Sequence, residues 1–389
     1  MIRAINLAKL YPAGCNFFST MLLVFIASFL VLPNAKQVNN VFYILLAAPA
    51  LIAVFRYREA LRPHSATEWL WLLFLVTAAV MGALGGGSAQ YFKHIGYIWL
   101  FTFAITALVA PVLFRHPCFG RGLFWTVGLY IVGSAIYYWS TGEYAVGQRI
   151  LWLPGRMTGP IYTSMWLIAC FALATPAWLK EKRYIELFAA FILSAACIGF
   201  ILQSRSGFVG LLALPFLLFL ATKTRISARS LIAVLVTFLV LLIATWNTDL
   251  LQHLLARGDA HRFTIWQGFL ARWWECGLLQ GCGTDFKEVF FSAGAATLHA
   301  HPHNIFLSIG SKLGVIALLL FLATMLSTLW HARKHQDPWG LYLAVSLIML
   351  NFDGSLIIGN PDELWLLVLL PMALLINRYR PPLSSDSKD

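Results

Sequence analysis

Charge is scarce in this sequence. Its 389 residues include 28 Lys or Arg and 16 Asp or Glu, only 11% charged, against roughly 25% in an average soluble protein. A water-soluble fold of this length must cover a large surface with polar groups, and 44 charged side chains are too few. The chain therefore meets lipid. Cysteine is sparse too. Cys15, Cys118, Cys170 and Cys197 lie in or beside apolar runs and form neither a disulfide framework nor a paired metal spacing. Cys276 and Cys282 share the one long polar stretch, and would close a small loop disulfide if that stretch faces an oxidising compartment. There is no glycine-rich nucleotide loop. The formal charge of +12 is dispersed in small groups, so it does not form the basic patch of a nucleic-acid binder and no nucleic-acid partner is expected. With 15 Trp and 29 Phe, disorder and coiled-coil or collagen-like rods are excluded as well.

What fills the chain is apolar sequence. A bilayer core of about 30 Å needs about 20 mainly apolar residues per helix, fewer where flanking side chains snorkel. Twelve runs qualify: Phe17–Leu32, Val41–Phe55, Trp69–Gly85, Ile95–Phe114, Gly122–Ser140, Ile161–Trp178, Ile185–Gln203, Gly207–Thr222, Ser230–Trp246, Asn304–Trp330, Trp339–Gly359 and Leu364–Asn377. The first lacks a small-x-small cleavage site and is read as a retained helix rather than a signal peptide. The expected fold is an all-α polytopic membrane protein of about 12 transmembrane helices, a single transmembrane domain over 1–389. Lys and Arg mark the cytoplasmic side. With the N-terminus inside, 18 of the 28 fall there, which puts both termini in the cytoplasm. The longest polar stretch, 247–303, is then a large outer loop between the ninth and tenth helices. Within it, Phe263, Ile265, Trp266, Phe269, Leu270 and Trp273 recur at mostly three- and four-residue spacing, which predicts an amphipathic interfacial helix that Gly281-Cys282-Gly283 ends.

The charges on the outer side are the candidates for chemistry. Arg205, between the seventh and eighth runs, is costly near the membrane unless it faces water or an anion. Arg262 precedes Trp266 by one helical turn, so the ring could hold the guanidinium. Arg257, Arg149 and Arg156 are further candidates for substrate binding, the last two in a loop read as flexible enough to close on a ligand. In His299-Ala-His301-Pro-His303, no carboxylate or cysteine stands at ligand spacing, so no metal is expected. Pro302 suits a first helical turn, which sets His303 and Asn304 at a helix N-terminus. There the dipole attracts anions and keeps an imidazole neutral, able to accept a proton. Asp353 is another expensive charge, inside the eleventh run, expected to orient or pair with an arginine. Several arginines, a helix N-terminus and one base suit an anionic head group such as a diphosphate.

Three stretches resemble the O-antigen ligase and O-antigen polymerase superfamily, and the lipopolysaccharide O-antigen ligases above all: Ser204-Arg205-Ser206-Gly207; Arg262-Phe-Thr-Ile-Trp266 with Gly281-Cys-Gly283 and Phe286; and His303-Asn304, nine residues, then Gly314. The last pattern ends in Gly, Thr or Tyr in the ligases, where this chain has Ala317. The resemblance implies a metal-independent, inverting glycosyltransferase of the bacterial inner membrane, needing no cofactor and working on the periplasmic face. It would move a glycan from undecaprenyl diphosphate to the lipid A-core oligosaccharide, with Arg205 and Arg262 holding the diphosphate and His303 assisting the acceptor hydroxyl. An O-antigen polymerase or a protein O-oligosaccharyltransferase would use the same chemistry. A reading of another class, an organic-anion transporter, would call for repeat symmetry and broken helices at the midplane, whereas the outlying charges here gather on one face.

Overall fold

A computed structural model describes residues 16–157, 159–221, 262–292 and 295–378. The helices are α1 Phe17–Val31, α2 Ala35–Arg56, α3 Ala66–Leu84, α4 Ala89–Phe103, α5 Pro117–Thr141, α6 Pro160–Lys180, α7 Tyr184–Ile201, α8 Arg205–Ala221, α9 Arg262–Cys276, α10 Ile305–His335, α11 Pro338–Met349 and α12 Trp365–Asn377. Many begin where the sequence offers a cap: Asn16, Asn34, Ser65, Ser88 and Asp337 each accept a first-turn N–H. A helix coincides with every apolar run except the ninth, Ser230–Trp246, which lies outside the described residues. Six of them, α2, α3, α5, α6, α7 and α10, are long and apolar enough to cross a membrane; α1, α8, α11 and α12 are apolar but shorter. The chain is a multi-pass membrane protein.

Two boundaries correct the sequence reading. The eleventh run does not stay helical to Gly359: α11 stops at Met349, where the Asn351 side chain turns back to donate to the Leu347 carbonyl at 2.9 Å. Residues 350–362 form an irregular segment that is half-buried to buried throughout. Between the seventh and eighth runs, Arg205 is already the first residue of α8, and the break falls on Leu202, Gln203 and Ser204, with Gln203 at φ +46°.

Helix α6 is the centre, packed by α5, α7, α8 and α11, with Trp166 and Trp178 fully buried in it. Lipid removes most of the hydrophobic drive for helices to associate, so close packing through small residues matters. Gly210 of α8 lies directly against Met349 of α11, and Gly128 of α5 against Leu193 of α7. Alternation of chain direction gathers the ends of α1, α7 and α11 with the starts of α6, α8 and α10. Arg156 and Met157 donate backbone N–H groups to the Phe29 carbonyl, Ile150 to Ile201, and Ile305 to Leu350. The opposite end of the bundle carries Arg121 at 2.7 Å from Glu181 and Arg378 at 2.7 Å from Asp337.

The polar stretch folds onto the end that holds these starts. Helix α9 buries Ile265, Phe269 and Trp273 and exposes Phe263, Leu270 and Trp274, the amphipathic pattern expected of it. It rests on α10. An antiparallel hairpin follows, β1 Glu288–Ser292 with β2 Ala295–His299, which the sequence reading did not anticipate.

Candidate active site

The site begins where α10 begins. Asn304 caps the helix, its Oδ1 accepting the Phe306 and Leu307 N–H groups at 3.0 Å each. Pro302 therefore precedes the cap instead of sitting in the first turn, and His303 is the residue just outside the helix. His303 holds φ at +54°, a left-handed conformation that costs a non-glycine residue on the order of 1–3 kcal/mol. Its N–H donates to His301 Nδ1 at 3.3 Å, and its own Nδ1 lies 2.7 Å from Asp353 Oδ1. The sequence reading sought an arginine as the partner of Asp353, and the structure brings a histidine. Asp353 is almost enclosed, its side chain 8% exposed, while the His303 side chain is 30% exposed. The turn carrying Asp353 is tied down by the Ile305 N–H to Leu350 carbonyl bond at 3.1 Å.

Arg262 opens α9, and one turn on, Trp266 donates its indole N–H to the Pro302 carbonyl at 2.9 Å. Trp266 thus grips the chain immediately before His303, and its ring lies 6.3 Å from that of Phe352, next to Asp353. Arg205 opens α8 behind Ser204, whose hydroxyl lies 2.6 Å from that of Ser164 in the first turns of α6. In the same turn the Tyr162 hydroxyl hydrogen-bonds with Ser355.

The loop read as free to close is instead clamped. Arg149 Nε donates to the Leu202 carbonyl at 3.0 Å, Gln203 Nε2 to the Gly147 carbonyl at 2.9 Å, and Arg156 Nη1 lies 2.7 Å from Glu363 Oε1. Burial raises the pKa of both Glu363 and its neighbour Asp362, the latter to about 8. Glu363, Asp362 and Tyr162 escaped the sequence reading, which counted basic residues between runs; Asn360-Pro361-Asp362-Glu363 between two apolar runs was the available signal. Arg257 lies outside the described residues.

The rings of His299 and His301 stand 5.9 and 4.4 Å from that of His303. Burial, then the neighbouring His303, lowers His301 to about 4, so it is neutral and able to accept the His303 N–H. Among the described residues no group of three or more His, Cys, Asp or Glu is placed to hold a metal ion. An ionised carboxylate only accepts hydrogen bonds, so Asp353 holds the His303 proton on Nδ1 and leaves Nε2 as an acceptor. An imidazole held in this way is able to accept a proton, and helix starts that carry arginines suit an anionic group.

Residues 188–322 match a protein-family model described as O-antigen ligase. That span includes Arg205, Arg262, His303 and Asn304. The chain is also 29% identical over 369 residues to an O-antigen ligase from Pseudomonas aeruginosa, an alignment covering 88% of this chain and 85% of that protein. The resemblance to O-antigen ligases therefore extends over most of the sequence.

Proposed function

From a likeness of that extent we propose that the protein is an inner-membrane ligase that transfers an O-antigen glycan from undecaprenyl diphosphate to the lipid A-core oligosaccharide. The reaction is metal-independent and inverting, and takes place on the periplasmic face of a single transmembrane domain whose termini are cytoplasmic. What supports it is the His303–Asp353 pair, set just outside the start of α10, together with two further helices, α8 and α9, that start on arginines. The Cys276–Cys282 disulfide in the outer loop supports an oxidising compartment for that end.

In this reading an acceptor hydroxyl attacks the anomeric carbon as the bond to the diphosphate oxygen breaks, inverting the centre in one displacement. The hydroxyl proton passes to His303 Nε2. Asp353 offsets the imidazolium that forms, and Arg205 and Arg262 offset the charge gathering on the departing diphosphate. Arg149, Arg156 and Asn304 shape the surrounding pocket from fixed positions, and membrane lipids complete its sides.

The test is the lipopolysaccharide banding pattern of a deletion strain complemented with the wild-type gene or with His303→Ala. A ligase gives a full ladder only with the wild type, while lipid-linked polymer accumulates with the variant. A single-repeat band would mark a polymerase, and an unchanged ladder would end the lipopolysaccharide assignment in favour of protein glycosylation or transport.

A further inference from the structure

We propose that the disulfide-closed loop Cys276–Cys282 is a wedge that sets the direction of the first nine residues of α10, and through them the place of Asn304 and His303. The role in catalysis rests on the ligase reading; the wedge itself rests on backbone geometry. Helix α10 is broken at Gly314, which stands at φ +84° and ψ 171° inside a 31-residue helix. An unbroken α-helix would pair the Val315 N–H with the Ser311 carbonyl, four residues back. Here the wedge takes both groups. Val315 donates to the Leu278 carbonyl at 2.8 Å, and the Ser311 carbonyl accepts the Cys282 N–H at 2.7 Å.

The fit is backbone against backbone. A Cβ on Gly314 would run into the Leu279 carbonyl, and one on Gly281, itself at φ +70°, would lie 2.8 Å from Gly314 N. Trp273 packs its ring on Gly310 and donates its N–H to Leu278 O at 3.1 Å, so α9 holds the wedge from the other side. The disulfide joins the last residue of α9 to the residue that bonds Ser311, closing the loop across a separation of 6. Without that link the wedge is an open loop, and the two α10 groups it satisfies would be left unpaired in an apolar setting, a costly state that the chain avoids by re-forming the straight helix. The segment 305–313 is an arm of about 13 Å at 1.5 Å per residue. A change of about 20° in the bend moves its tip by roughly 5 Å, more than the 2.7 Å hydrogen bond to Asp353 tolerates.

The experiment compares the full-length protein with the Cys276→Ser/Cys282→Ser double variant, alone and combined with Asp353→Asn. Membrane accumulation is expected to stay within about two-fold, and amide hydrogen exchange over 305–313 to speed at least ten-fold. The turnover number should fall at least ten-fold with the donor KM nearly unchanged. Adding Asp353→Asn should cost little more, because both changes break the same pairing. Unchanged exchange over 305–313, or losses that add in full, overturns the proposal. A wild-type protein that transfers no glycan while the double variant shows the faster exchange overturns the ligase reading and leaves the wedge in place.

Discussion

Asp353 and His303 are 50 residues apart in the chain and 2.7 Å apart in the fold. The length of α10 and all of α11 separate them, yet the Ile305 to Leu350 backbone bond draws their two turns together. A carboxylate fixing the tautomer of a base is worth a few kcal/mol, each 1.36 kcal/mol being ten-fold in rate. Asp353→Asn is expected to lower the turnover number by about ten- to a hundred-fold without lowering the amount of protein in the membrane. Glycan transfer at the wild-type rate by this variant would remove Asp353 from the reaction.

A second expectation concerns the turn itself. A Cβ on Gly354 would lie 2.6 Å from both Ile305 N and Leu350 O, the two atoms whose hydrogen bond closes the turn. Gly354→Ala should therefore displace Asp353 and reduce transfer as Asp353→Asn does, whereas Gly359→Ala, with only the Asp362 carboxylate 3.8 Å away, should not. Equal activity of the two alanine variants would contradict this.

Removing Arg156 leaves Glu363 enclosed without its cation. Breaking a buried pair from one side costs about 3–5 kcal/mol. Arg156→Ala is expected to deplete the folded protein in membranes, and Arg156→Ala/Glu363→Gln to restore much of it. A double variant no better than the single one would show that the ion pair at 2.7 Å is not what the arginine provides.

His301 gives a pH dependence whose sign is fixed. Its pKa in the fold, about 4, lies below the ordinary 6.5, so between these values the unfolded chain binds the proton more readily. Stability is then complete above pH 6.5 and falls as pH drops toward 4, by on the order of 2 kcal/mol between pH 7 and 5. Protonation also removes the Nδ1 acceptor of the His303 N–H. Exchange protection around residues 299–303 should decline over this range, and His301→Phe should abolish the decline. A flat profile in the wild type would refute it.

The bundle was legible because composition alone fixes it: apolar runs of membrane length have no other stable state, and eleven of the twelve appear as helices at nearly the positions read. Helix α9 was legible from the spacing of Ile265, Phe269 and Trp273. Tertiary pairings were not. Nothing local says that Asp353 meets a histidine, or that Arg156 meets Glu363 across 207 residues. The left-handed turn at His303 left no mark, since Pro302 fits the start of a helix as well as the approach to one. Gly314 was visible as part of a pattern, but its reason lies in the Leu279 carbonyl that occupies the space of a side chain. The β1–β2 hairpin was hidden in a stretch whose polar content reads as loop.

Helix α6 is encased by its neighbours, most of it buried, and its first turns bring Tyr162 to Ser355 and Ser164 to Ser204. A close-packed interior resists deformation, while local opening is drawn from the parts with fewest contacts. That side of the site is therefore a rigid anvil, and if the proposed ligase reading holds, room for a bulky glycan has to come from the opposite side. There α9 rests on α10 and holds Pro302 through Trp266, so in that reading tolerance for differently sized glycans should vary with changes in α9 and hardly at all with changes in the central helix.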